Sequence, residues 1–142
     1  MKRIPSRLRK FGWNQRVLNL DDFYLFCEEE GVIVFDFPMR RQKGLYFKIL
    51  FWHFIVLSSR LKGHERALVA WHEIGHYIWH VPGCYGRHSK TEREADWIAH
   101  VALIPNFLLN YSDGELWEMF AYDPALVRER VQLFQCFHKW ER

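Results

Sequence analysis

The chain has 142 residues, of which 49% are hydrophobic and 18% aromatic, and its 20 basic and 17 acidic side chains give a formal net charge of +3. That length suits one domain over 1–142, and so much apolar material supplies a sizeable core and excludes a disordered chain. The longest apolar run, Ile49 to Leu57, is interrupted by His53 and falls far short of the twenty or so residues that a helix needs to span a bilayer, so no membrane-spanning helix is expected.

Basic charge gathers at the start: residues 1 to 64 hold 12 basic and 6 acidic side chains, residues 106 to 142 hold 4 and 6. Lys2, Arg3, Arg7, Arg9 and Lys10 read as a solvated basic N-terminal arm over 1–15, with attraction to nucleic acid as the lesser reading. The basic start leads to Phe11-Gly12-Trp13 and not to an apolar stretch, so no secretory signal is expected. Cys27, Cys84 and Cys136 are odd in number and widely spaced, which argues against a disulfide framework and for the reducing cytoplasm.

The core is expected over 16–105. Leu18 to Glu30 has helical spacing, with Leu18, Phe23, Phe26 and Cys27 inward and Gly31 as the stop. Val32 to Phe37 is β-branched and aromatic, a strand closed by Pro38. Arg40-Arg41-Gln42-Lys43 reads as a polar hairpin turn, and Gly44 to Ser59 as two further strands that change over near Leu50 to Trp52. The sum is a short antiparallel sheet.

A helix follows from Glu65 to Val81, ended by Pro82-Gly83. Its apolar residues Ala67, Trp71, Ile74, Ile78 and Val81 recur at helical spacing on the side opposite His72 and His76, which predicts a buried back and histidines offered to a cleft. His72-Glu73-Ile74-Gly75-His76 is the most informative stretch of the chain. Two imidazoles four residues apart on one helical face can reach a single Zn²⁺, with Glu73 beside the open coordination position. A catalytic zinc site takes a third protein ligand. A histidine six residues after the second is ruled out, since Pro82 stands there, and His80 lies about 12 Å along the axis from His72. The next helix, Thr91 to about Ile104, carries Glu92, Glu94 and Asp96. Thr91 and Glu94 fit a capping box. Glu92 and Asp96 share a face, which suits a ligand carboxylate with a second one holding an imidazole N–H; the alternative is that all three acids complement the positive helix terminus. Ala95, Ala99 and Ala102 form a small-residue stripe that allows close approach to the first helix. Over 106–142 two more helices are expected, one opened by Ser112 to Glu115 and one by Asp123-Pro124. Together they resemble a helix-turn-helix in outline, but their net negative charge disfavours direct nucleic-acid binding.

His72 to His80 (HEIGHYIWH), then Glu92-Arg93-Glu94-Ala95-Asp96-Trp97-Ile98-Ala99 and Ala102-Leu103-Ile104-Pro105, resemble the ImmA/IrrE family of zinc metallopeptidases over roughly Val32 to Pro105. The resemblance implies an α+β, zincin-like domain with a short antiparallel sheet on the zinc helix. By position it implies His72, His76 and Glu92 as ligands of one zinc ion, Glu73 as catalytic base and acid, and Asp96 as the supporting carboxylate. Trp97-Ile98 replaces the usual aromatic pattern, and Ile104 stands where Met is common. His88, Tyr85 and His100 are the candidates for stabilising the oxyanion, ahead of Tyr77, which helical geometry points away from the metal face. The implied substrate is a helix-turn-helix transcriptional repressor. The rival reading is a metal-binding anti-repressor or toxin-antitoxin partner that binds without cutting.

Overall fold

A computed structural model of the protein describes residues 3–81, 83–84, 89–110, 115 and 124–137. Helix α1 (Ser6–Phe11) and helix α2 (Leu20–Glu30) precede strands β1 (Val32–Phe37), β2 (Gly44–Ile49) and β3 (Trp52–Ser58). Helix α3 (Gly63–Ile78), the two-residue strand β4 (Gly83–Cys84), helix α4 (Lys90–Leu103), a 3-10 turn (Asn106–Asn110) and helix α5 (Pro124–Phe137) follow among the described residues. The architecture is the expected α+β one. Among the described residues no helix is long and apolar enough to cross a membrane.

Local chemistry accounts for the ends of α2. Asn19 accepts from the Asp22 amide while the Asp22 carboxylate accepts from the Asn19 amide, a closed capping box. At the other end Gly31 takes φ 75°, left-handed backbone that glycine adopts without a Cβ clash. β1 then begins at Val32, as its composition predicts.

The sheet corrects one expectation. It is mixed, in the order β1-β3-β2-β4, with β1 parallel to β3 and β2 antiparallel to β3. Residues 38–43 are therefore not a hairpin turn: they carry the chain past β3, so that β1 and β2 never pair. The reason lies in β3, whose run Trp-His-Phe-Ile-Val-Leu-Ser is apolar on both faces and suits a strand flanked on both sides. The hairpin is the next connection, where Ile49 faces Trp52 across Leu50 and Phe51. Leu50 turns there with φ 54°, without the glycine or asparagine that marks such turns in a sequence.

Residues 3–15 are likewise no free arm. Ile4, Leu8 and Trp13 are buried, Trp13 Nε1 donates to the Ile98 carbonyl at 3.0 Å, and Leu18 N donates to the Ala102 carbonyl at 2.8 Å. Arg7 binds Glu30 at 2.5 Å, so a basic residue of the supposed tail has a fixed acidic partner. Ile4 and Leu8, four apart, were the available signal and were outweighed by the surrounding charge.

α3 lies between the sheet and α4 and is buried from Val69 through Ile78 on every side. Its histidines do not face an open cleft; they are as buried as Trp71 and Ile74. The helix stops at Ile78, earlier than the spacing predicts, because His80 turns into left-handed backbone at φ 54° and its N–H closes on the Tyr77 carbonyl. A Cβ built on Gly75 would lie 2.8 Å from Ala95 Cα and 3.1 Å from Ala95 Cβ, so the two helices touch backbone to backbone there. Gly75→Ala should gain about 1 kcal/mol of helix propensity and lose more through overpacking, a net destabilisation of about 1–2 kcal/mol in denaturant unfolding. A more stable variant would mean that the helices do not meet at this point.

The helix expected to open at Ser112 lies outside the described residues, Glu115 excepted. α5 starts at Pro124, as the Asp-Pro pair predicts. From α5 the buried Arg130 donates Nε to the Ile104 carbonyl at 2.8 Å and bonds the Asn106 side chain, capping the end of α4 with a cation.

Candidate metal centre

Three side chains from two helices converge. His72 and His76 project from one face of α3, and Glu92 comes from the first turn of α4. Each offers one ligand atom, all within 4.8 Å of one another, and all three residues are buried. His72 Nε2 lies 2.8 Å from Glu92 Oε2 and 3.2 Å from His76 Nε2, and His76 Nε2 lies 3.0 Å from Glu92 Oε1.

The donor set fits a cation. His72 Nδ1 is 2.6 Å from Asp96 Oδ1; with its N–H given to that carboxylate, the neutral ring carries its lone pair on Nε2, which faces another ring nitrogen and a second carboxylate. A tetrahedral ion with bonds of about 2.0–2.1 Å sets its ligand atoms about 3.4 Å apart, close to the separations found. Without an ion the ring answers the two carboxylates with a second proton: burial lowers the His72 pKa, but the bonds to Asp96 and Glu92 outweigh it and raise the value to about 9, and a metal ion would take the place of that proton on Nε2. His76, buried and beside His72, is lowered. One carboxylate and two unequal imidazoles thus share a charge that a dication would complete.

Asp96 does for His72 what the second carboxylate was expected to do for one of the two histidines. The capping of α4 differs from expectation. Ser89, not Thr91, is the N-cap, and its hydroxyl accepts from the Glu92 amide at 3.2 Å. Ser89 and Glu92 are themselves a capping-box pair in sequence, overlapping the one at Thr91 and Glu94, and Glu92 sends its carboxylate to the histidines and not back to the cap. Glu94 is left buried, 3.9 Å from Lys90 Nζ.

Glu73 stands next to the pair, fully buried, and no side chain of the described residues donates to either of its oxygens. Burial pushes its pKa up to about 8, against the influence of His72 and of the Tyr46 amide. Gly44, at the start of β2, was not singled out from sequence. A Cβ there would meet Val69 Cγ1 at 2.7 Å and Glu73 Oε1 at 3.0 Å, so any other residue would displace the carboxylate. A glycine opening a strand after a polar loop was the signal, readable as a close approach only once its neighbour is known.

The other candidates are placed unequally. Tyr85 and His88 lie outside the described residues. Tyr77 points away from the metal face and donates to Glu30 Oε1 at 3.2 Å. His100 lies one turn beyond Asp96, buried, with Nε2 3.6 Å from Glu129 Oε2 on α5. Burial depresses its pKa to about 4, Arg130 and His72 adding to the effect against Asp96. The unfolded chain therefore binds the His100 proton first. Stability from this residue is present above pH 6.5 and is lost as pH falls toward 4, by about 2 kcal/mol between pH 7 and pH 5. Denaturant unfolding at the two pH values should show that loss in the parent and a smaller one in His100→Gln; equal slopes would remove the assignment.

Comparison with protein families finds a match to the IrrE N-terminal-like domain, a peptidase family, over residues 27–134. That span contains every residue of the centre. Comparisons with curated proteins and with solved structures return no match.

Proposed function

Because the chain belongs to the IrrE N-terminal-like peptidase family, we propose that it is a zinc-dependent metalloendopeptidase that cuts a peptide bond in a helix-turn-helix transcriptional repressor. The observation that carries this reading is the buried meeting of His72, His76 and Glu92 with a second, unliganded carboxylate, Glu73, one residue from the first histidine. A structural metal site has no need of that extra carboxylate.

His72, His76 and Glu92 would hold one zinc ion, which would supply Lewis acidity toward water and the scissile carbonyl. Asp96 fixes the His72 tautomer and keeps its ring turned to the ion. Glu73 takes a proton from the attacking water and returns it to the leaving amine. Its pKa of about 8 is that of the carboxylate without a neighbouring dication; a positive charge in the cage lowers it toward the range in which one group both accepts and releases a proton near neutrality. Gly44, without a Cβ, leaves the room beside β2 that this carboxylate occupies. The oxyanion donor is sought first at Tyr85, His88 and His100.

The repressor is the substrate class implied by the family resemblance, and the cytoplasm is where such a substrate is met. The deciding experiment mixes the zinc-loaded protein, and its Glu73→Gln form, with helix-turn-helix repressors of the same organism, beginning with any encoded beside it, and reads a defined new terminus by mass spectrometry.

A further inference from the structure

Among the described residues, the sheet packs one of its faces into the core. Tyr46, Ile55 and Leu57 are buried on that side with α3. Side chains alternate along a strand, so the residues between them share the other face. There the register sets Phe47 opposite Phe54, and Phe35 lies diagonally beyond. The rings stack at 5.0 Å and 6.0 Å between centroids, a ladder across all three long strands with Phe54 at its middle. Phe37, Ile49 and Trp52 extend it toward the ends. No charged residue occupies an outward position on these strands.

This face is open to solvent. Phe35 is 50% exposed, Phe37 61%, Ile49 55% and Trp52 58%, and the turn residues Leu50 and Phe51 reach 79% and 90%. At about 150–250 Å² per aromatic side chain, the four aromatic ones alone leave on the order of 500 Å² of apolar surface. With Ile49, Leu50 and the ladder's inner rings the patch exceeds the roughly 300–600 Å² usual for the largest patch of a monomer, and approaches the roughly 800 Å² that each partner gives to a standard interface.

We propose that this face is the contact surface of a homodimer in which two copies pack sheet on sheet. Its composition is that of a core cut in half, which marks permanent interfaces; transient ones are about as polar as the rest of the surface. A permanent partner must be present in equal number, and a second copy always is. Two like-charged chains of +3 repel least through an uncharged face, and flat apolar sheet faces pack against each other about 10 Å apart. A twofold axis beside Phe54 pairs each half of the ladder with its counterpart. The proposal is independent of the metal and of the reaction.

Sedimentation equilibrium of the full chain at micromolar concentration should give twice the 17.3 kDa of the monomer. Phe35→Glu and, separately, Trp52→Glu should each raise the dimer dissociation constant roughly 30-fold or more while leaving the far-ultraviolet circular dichroism and metal content unchanged. Leu25→Glu, at an exposed position on α2 away from the sheet face, should remain dimeric. A parent that stays at monomer mass, or a dimer that both sheet variants leave intact, would overturn the proposal. So would open-ended aggregates, or a monomer that binds phosphatidylcholine vesicles through Trp52, which would give the face to a lipid surface.

Discussion

Glu73→Gln is expected to keep its full complement of zinc and to hydrolyse peptide about 10³-fold more slowly than the parent, since general acid-base catalysis contributes typically 10²–10⁴-fold. Gln has the shape of Glu and loses only the ability to take and return a proton. Glu73 is not among the three converging ligand atoms, so metal content should not follow the substitution. The fold should tolerate it too. A fully buried carboxyl whose pKa burial drives up to about 8 pays a desolvation cost that a neutral amide escapes. The variant should therefore be as stable as the parent or slightly more so, which separates loss of chemistry from loss of structure. Single-turnover cleavage with metal analysis on the same sample reads both. A Gln variant that cuts at the parental rate would refute the peptidase mechanism, whereas a pair of proteins that both bind the repressor and neither cuts it would support the anti-repressor reading.

Glu92→Ala should lower metal affinity by about 10²-fold or more, as removal of one of three protein ligands requires, and Glu94→Ala should leave it unchanged. The two acids are two residues apart on α4 and both are buried. Only Glu92 lies 2.8 Å and 3.0 Å from the two imidazole nitrogens, while Glu94 faces the Lys90 ammonium 3.9 Å away. Glu94→Ala should cost packing and stability alone. Asp96→Asn falls between them, with a loss of about 10–100-fold, because it acts on the ion through the His72 ring. Competition with a chromophoric chelator measures all three. Metal retained by Glu92→Ala and lost by Glu94→Ala would move the third ligand by two residues and overturn the geometry of the centre.

Much of the centre is visible in one dimension because helices convert spacing into direction. Residues four apart share a face, so His72 and His76, and likewise Glu92 and Asp96, are paired before any fold is known. The small stripe at Ala95 and Ala99 announces the close contact that Gly75 completes. Strands offer less. β1, β2 and β3 are each legible from β-branched and aromatic residues, but which strand lies beside which depends on long-range pairing that local pattern does not encode, and so the sheet is mixed where an antiparallel one was expected. The start of the chain misleads for a related reason: five cations close together look like a solvated arm until Leu8 and Trp13 find the core. The cap of α4 turns on a competition as well, since Ser89 and Thr91 both fit and the histidines claim Glu92.

Sequence by itself made legible the α+β class, the helix that carries His72 and His76 and the acids that could join them, because these rest on composition or on a short helical period, while its motifs carry the resemblance that the family match bears out. Only the tertiary structure decided that Asp96 holds His72, that Gly44 walls Glu73 in, that the site is buried rather than set in an open cleft, and that one face of the sheet is left apolar and bare. Those are distances between residues far apart in the chain, and they come into being only when side chains compete for the same interior space.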